Sequence, residues 1–165
     1  MNLYQLKTKN CKLETSYGFT LIELVIALGV MVLLISVIWT GLEKTRKNQA
    51  LSTGVETVLS ALREARTKTL SLEGNQSYGV YLEEDRVVIF PGESFSEPNI
   101  LNQEFWLEKA ISISTTSLAV STSTILFNAV TGEVPNYGTI TISLKSDAST
   151  NRTINVSRTG ETSQQ

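Results

Sequence analysis

The pattern of apolar and polar positions divides the chain into three stretches. In the first, no charged residue occurs from Leu24 to Leu42. These nineteen residues would form roughly 28 Å of helix at ~1.5 Å per residue, close to the ~30 Å hydrocarbon thickness of a bilayer. The pattern therefore predicts a transmembrane helix over residues 19–42, with Phe19 to Ile22 extending its apolar start.

Basic residues before this stretch predict its orientation. The first eighteen residues carry one acid, Glu14, and three lysines, which are Lys7, Lys9 and Lys12. Positive charge stays on the cytoplasmic side of a membrane. We therefore expect a single pass through the cytoplasmic (inner) membrane, with everything after Leu42 outside the cytoplasm.

The second stretch, residues 43–73, has the pattern of an amphipathic continuation of the same helix. Apolar side chains recur at steps of three and four and form one stripe, consisting of Leu51, Val55, Val58, Leu59, Leu62, Ala65 and Thr69. The stripe lasts only about three heptads, which favours packing on the following domain over a coiled coil. Gly54 costs about 1 kcal/mol relative to Ala and allows a bend. Gly74 suits the left-handed residue after the last turn.

The third stretch, residues 74–165, alternates apolar and polar residues and predicts β-strands. The candidate strands are SYGVYL, RVVIF, FWL, ISI, GTITISL and RTINVSR. The acids Glu83 to Asp85 predict a polar turn, and the last residues, GETSQQ, are expected to fray. The predicted fold class is α+β, a long N-terminal spine helix packed against an antiparallel β-sheet head.

Composition argues against most catalytic chemistry. The chain has no histidine, and Cys11 is its only cysteine, so the usual general base, a cysteine-rich zinc site and an internal disulfide are all missing. The three adjacent acids at 83–85 lack EF-hand spacing and are typical of a solvated turn. We expect no enzyme activity, no cofactor and no metal site.

Glu23 is the residue that does not fit its apolar surroundings. A charge at bilayer depth costs at least ~2.5–3.5 kcal/mol, and no Lys or Arg lies within two helical turns. The carboxylate either reaches water at the cytoplasmic interface or meets a cation made by processing. Cleavage between Gly18 and Phe19 would create an α-amino group four residues before Glu23, largely cationic at neutral pH.

The stretch GFTLIELVIALGVM, behind a short basic leader, closely resembles the processing site of type IV prepilins and pseudopilins. The resemblance implies that a prepilin peptidase removes the leader, residues 1–18, by cutting after Gly18, and methylates the amine of Phe19. It also implies that Glu23 pairs with the amine of an adjacent subunit during assembly. Residues 19–42 would then form the filament core, and the partners would be other pilin subunits, an inner-membrane assembly platform and, before assembly, membrane lipid.

Two further segments resemble the GspH/FimT group of pseudopilins and minor pilins. They are ALREARTKTL near the end of the helix and ILFNAVTGEV, which is followed by GTITISL and a final strand ending at TGE. The resemblance is loose outside the N-terminus and implies two short sheets wrapped on the helix. It implies a structural minor subunit of a type II secretion pseudopilus or a type IV pilus.

Two alternative functions remain open from the sequence. Some FimT-like pilins bind DNA through basic residues near the C-terminus, where this chain has Lys145, Arg152 and Arg158. Arg152 and Arg158 are an even number of residues apart and could share a strand face, although three cations are a thin footprint for phosphate binding. The other alternative is a membrane-anchored binding module that is never processed.

Overall fold

The computed structural model describes residues 18–119 and 123–165. The predicted leader, apart from Gly18, and Cys11 lie outside these residues. Contacts divide the chain into two units, Met1–Gly41 and Leu42–Gln165. One helix, α1, covers Leu21–Leu70 and is followed by a short 3₁₀ helix, Glu73–Asn75. The first left-handed residue after α1 is Leu72 (φ 51°) and not the predicted Gly74, which is left-handed too (φ 63°) but lies within the 3₁₀ helix.

The C-terminal unit contains two four-stranded sheets. The strands are β1 Tyr78–Leu82, β2 Arg86–Pro91, β3 Gln103–Trp106, β4 Ile111–Leu118, β5 Thr124–Leu126, β6 Gly138–Leu144, β7 Asp147–Val156 and β8 Thr162–Gln164. The first sheet has the order β3-β2-β1-β5 and the second β4-β6-β7-β8. All pairings are antiparallel, as predicted. The two sheets that the GspH/FimT resemblance implied are therefore present.

A single hydrophobic core joins the helix to both sheets. Every residue of the predicted apolar stripe, Leu51 to Thr69, is buried. The stripe packs against alternate residues of the strands, including Val80 and Ile89 of the first sheet and Ile140 and Ile154 of the second. The predicted α+β class, a helix on antiparallel sheet, is confirmed because the helical and strand periodicities turn these side chains toward one interior.

Gly54 lies close to β4, because a Cβ there would collide with Cδ1 of Ile111. The bend that Gly54 allows stays a prediction. One other local prediction is wrong. The C-terminal residues do not fray: β8 pairs with β7, placing Thr162 opposite Val156, and the Gln165 N–H donates to the Thr153 carbonyl at 2.9 Å. Backbone pairing orders a segment whose polar side chains gave no strand signal.

The N-terminal unit has no buried residue among those whose side chains are described, Gly18 to Ser36. Within residues 18–119 and 123–165, no helix combines the length and the apolarity that a membrane crossing requires. The transmembrane helix over residues 19–42 stays a prediction.

Candidate functional site

The start of α1 is fixed by a capping interaction that the sequence reasoning missed. Helix α1 begins at Leu21, and the N–H of Glu23 donates to Oγ1 of Thr20 at 3.3 Å. Thr20 therefore caps the helix, with Glu23 in its first turn, where the helix dipole favours a negative charge. The spacing T-x-x-E of a capping box was present in the sequence and could have revealed it.

The first part of α1 carries a continuous exposed apolar surface, which we call the N-terminal surface, residues 18–36. Large apolar side chains are more than half exposed at thirteen positions, namely Phe19, Leu21, Ile22, Leu24, Val25, Ile26, Leu28, Val30, Met31, Val32, Leu33, Leu34 and Ile35. Phe19 is 85% exposed. Soluble monomers rarely expose contiguous apolar surface on this scale, so the surface requires a partner or an apolar environment.

The loop between β2 and β3, residues 92–102, folds over the first sheet, and we call it the strap. Its Phe95 ring stacks on Tyr81 at a centroid distance of 4.0 Å and meets Phe90 edge-on at 5.6 Å. Val88 and Phe90 are buried here but do not belong to the main core. The strap therefore covers the sheet face opposite the helix with a small core of its own.

Arg86 ties the strap to the neighbouring strands. Its guanidinium pairs with Glu83, with Glu97 of the strap (3.0 Å) and with Glu104 of β3 (3.1 Å). It also lies over the ring of Trp106, at 5.4 Å from the centroid. The hydrogen bonds that the Arg86 guanidinium donates to Glu83 and Glu97 raise the pKa of Arg86 above its already high ordinary value, so the residue keeps its charge.

Only part of this arrangement could be predicted from the sequence. Glu83 lies three residues from Arg86 across a predicted turn, so that pair was visible. The contributions of Glu97 and Glu104 depend on the strap conformation and on the β2–β3 register, which pairs Arg86 with Trp106. The sequence of residues 92–102 carries no local signal for this fold-back, because it depends on the contact between Phe95 and Tyr81.

The predicted DNA-contact residues do not form one cluster. Lys145 follows β6 and lies 3.7 Å from Glu84, whereas Arg158 lies beyond the end of β7, in the turn before β8. The ten residues of β7 extend about 30 Å at ~3.3 Å per residue, and they separate these two cations. Arg152 is exposed within β7. The expected shared strand face is wrong for Arg158, because β7 ends at Val156.

A carboxylate also lies at the Lys145 end of β7. Asp147 accepts hydrogen bonds from Oγ of Ser149 (2.6 Å), from Oγ1 of Thr150 (2.8 Å) and from the Ser149 N–H (3.1 Å). These bonds lower the pKa of Asp147 below its ordinary value. The turn therefore keeps a negative charge two residues from Lys145, which weakens it further as a phosphate contact.

The acids at 83–85 form the predicted turn between β1 and β2. Two of them face cations, Glu83 to Arg86 and Glu84 to Lys145. Among the described residues, no group of three metal-ligating side chains could hold an ion. This turn is a solvated, partly ion-paired feature.

A long N-terminal helix on two antiparallel sheets is the fold of type IV minor pilins and pseudopilins. The chain is similar to two crystal structures of the type IV minor pilin FimU of Pseudomonas aeruginosa strain PAO1. The first has a TM-score of 0.55 and 16% identity, covering 70% of this chain and 92% of FimU. The second has a TM-score of 0.55 and 15% identity, covering 73% and 91%. No protein-family model matches the chain, and neither does any curated protein. At this identity the similarity establishes the fold.

Proposed function

We propose that this protein is a pilin-type structural subunit that acts by assembly into a filament and not by catalysis. The observation that carries the proposal is the N-terminal surface, where thirteen large apolar side chains are exposed on one helix start. In a filament such helices would bury these side chains against one another, and the burial of apolar surface would drive association. The likeness to FimU supports the same reading at the level of the fold.

The finer proposal concerns processing and follows from the N-terminal sequence. A prepilin peptidase would cut after Gly18, and the new amine of Phe19, once methylated, would belong to the mature subunit. Glu23 would pair with the amine of a neighbouring subunit as the helices pack. The exposed Gly18 and the helix start at Leu21 support this, because a peptidase needs an accessible, non-helical bond.

We further propose where the subunit acts. Before assembly the N-terminal surface would lie in lipid, supported by the absence of charge from Leu24 to Leu42. The C-terminal unit would face away from the cytoplasm. The assembled filament would be a type II secretion pseudopilus or a type IV pilus, and an inner-membrane platform would receive the subunit.

DNA binding is the second candidate, and the surface gives it little support. Residues 42–165 contain 11 basic and 14 acidic side chains, a net charge of −3. The three candidate cations are dispersed, and Lys145 faces Glu84. A field of this sign repels a polyanion unless a concentrated basic patch overcomes it.

Filament association tests the proposal directly. The full chain, produced in its native cells with a C-terminal tag, should be found in sheared and sedimented filaments. As a control, an unrelated protein of the cytoplasmic membrane that carries the same tag, produced in the same cells, should stay with the membranes. Exclusive recovery of this chain in the membrane fraction, with filaments present, would favour the unprocessed binding module.

A further inference from the structure

A groove lined by two arginines lies between α1 and the last strand of the second sheet. Its volume is about 580 Å³, and it is lined by Arg63, Arg66, Thr67, Ser157, Thr162 and Ser163, among others. We call it the arginine groove. None of these residues belongs to the N-terminal surface, to the strap or to the predicted DNA contacts.

Arg66 is held in a fixed position within this groove. Its Nη2 donates to the Thr159 carbonyl at 3.3 Å. Gly132 (φ 67°) and Gly160 (φ 77°) enclose the guanidinium, because a Cβ on Gly160 would lie 2.9 Å from Nε and one on Gly132 3.4 Å. The Nε atom is buried and has no hydrogen-bond partner among the described residues. The side chain is therefore ordered before any ligand arrives, which lowers the entropy cost of binding.

Arg63 supplies a second and freer guanidinium, one helical turn away. It is exposed and forms no ion pair with the described residues. The groove is lined by two arginines and one acid, Glu161, so its lining has a net charge of +1. Guanidinium groups bind carboxylates through paired, charge-assisted hydrogen bonds.

The other wall of the groove is an open sheet edge. β8 is the outermost strand of the second sheet, so one side of its backbone has no strand partner in the described part of the chain. An extended peptide can add to such an edge through main-chain hydrogen bonds. Thr162 and Ser163 of β8 line the groove, which places this edge beside the two arginines.

We infer that the arginine groove binds an acidic, extended segment of another protein. The segment adds to the edge of β8 and places a carboxylate between Arg63 and Arg66. The local surplus of one positive charge matches a single side-chain carboxylate. A nucleic acid would bring many phosphates close to a unit whose net charge over residues 42–165 is −3, and this repulsion grows with the number of phosphates. The inference goes beyond filament assembly and does not require it.

The test uses the full chain in nonionic detergent and a rhodamine-labelled peptide of alternating threonine and valine with one central glutamate, and binding is followed by fluorescence anisotropy. The glutamate peptide should bind, and the same peptide with glutamine should not. Arg63→Gln should weaken binding by about tenfold or more, because it removes a charge-assisted, two-point contact. Arg46→Gln, an exposed arginine on the same helix, should leave the affinity unchanged.

Arg66→Gln should weaken binding to a similar extent, and its thermal unfolding should be recorded because Arg66 is half-buried. Arg63→Gln is the decisive variant, since Arg63 is exposed and its replacement should not affect folding. Equal binding of the glutamine peptide, or unchanged affinity in Arg63→Gln, would overturn the inference. Arg63-dependent binding of a double-stranded DNA oligomer without binding of the glutamate peptide would assign the groove to nucleic acid instead.

Discussion

Glu23 has one role that the structure shows at the start of α1 and a second that we propose for the filament. In the folded chain its N–H is capped by Thr20, and its charge lies in the first turn, where the helix dipole stabilises it. The interaction with the helix dipole explains why a carboxylate lies near a helix start. It does not explain why the carboxylate lies within an apolar surface. In an assembled filament the same carboxylate would be surrounded by apolar side chains and would require a cation.

Glu23→Ala is therefore predicted to leave cleavage intact and to reduce filament incorporation by about tenfold or more. Removal of one partner of a buried ion pair costs roughly 3–5 kcal/mol, because the other charge is left unpaired. Incorporation is measured by quantitative immunoblotting of sheared filaments, and cleavage by the mobility of the band. Glu43→Ala, an exposed carboxylate on the same helix, is the matched control. Normal incorporation of Glu23→Ala would remove the amine-pairing hypothesis.

Gly79 shows how one residue allows the strap to close. A Cβ at this position would lie within 2.8 Å of the Phe90 ring, which is buried beneath Phe95. Gly79→Ala is predicted to lower the free energy of unfolding by roughly 1–3 kcal/mol, because the packed ring has no space to move. Thermal unfolding of the full chain in detergent measures the change. Gly29→Ala, where a Cβ meets nothing within 4 Å, should cause no loss.

One polar residue, Arg86, links the strap to the strands beside it. Arg86 links Glu97 of the strap to Glu83 and Glu104, so its removal leaves three carboxylates without their shared cation. Arg86→Gln is predicted to raise hydrogen exchange in residues 92–102 while β6 and β7 keep their protection. Arg152→Gln, which replaces an exposed arginine on β7, serves as the control. Unchanged exchange in the strap would show that Phe95 alone holds it closed.

The junction between α1 and β1 is secured by one buried hydroxyl. Oγ1 of Thr69 donates to the Ala65 carbonyl at 2.8 Å and accepts from the Tyr78 N–H at 2.9 Å. Thr69→Val keeps the shape but leaves the buried Tyr78 N–H unpaired, which costs about 1–3 kcal/mol.

Chemical denaturation should detect this loss in Thr69→Val. The hydroxyl of the exposed Thr67 donates to the Arg63 carbonyl and has no other partner in the described part of the chain, so Thr67→Val should change stability by less than about 0.5 kcal/mol. Equal effects of the two substitutions would mean that the junction is not held by the Thr69 hydroxyl.

For the molecule as a whole, the elements with a periodic apolar pattern could be predicted from the sequence, and the contacts between distant residues could not. The helix stripe and two of the strands could be predicted from the sequence, because burial on one face imposes a period on the apolar residues. These strands carry the alternating residues Tyr78, Val80 and Leu82 and the alternating residues Ile140, Ile142 and Leu144. The strap, the pairing of β8 and the arginine groove depend on residues far apart in sequence. No local pattern in the sequence indicates that the turn at Gly160 packs against Arg66, so the arginine groove could not be predicted.

The pilin-type fold is established, whereas cleavage after Gly18, on which the proposed assembly depends, is a proposal about the covalent structure of the chain. The most direct test is to measure the intact mass and the N-terminal sequence of the protein extracted from its native membranes or filaments. We expect a chain that begins at N-methylated Phe19, with residues 1–18 absent. A chain that begins at Met1 would contradict it, because Glu23 would then have no new amine to meet, and a membrane-anchored binding module would replace the filament subunit.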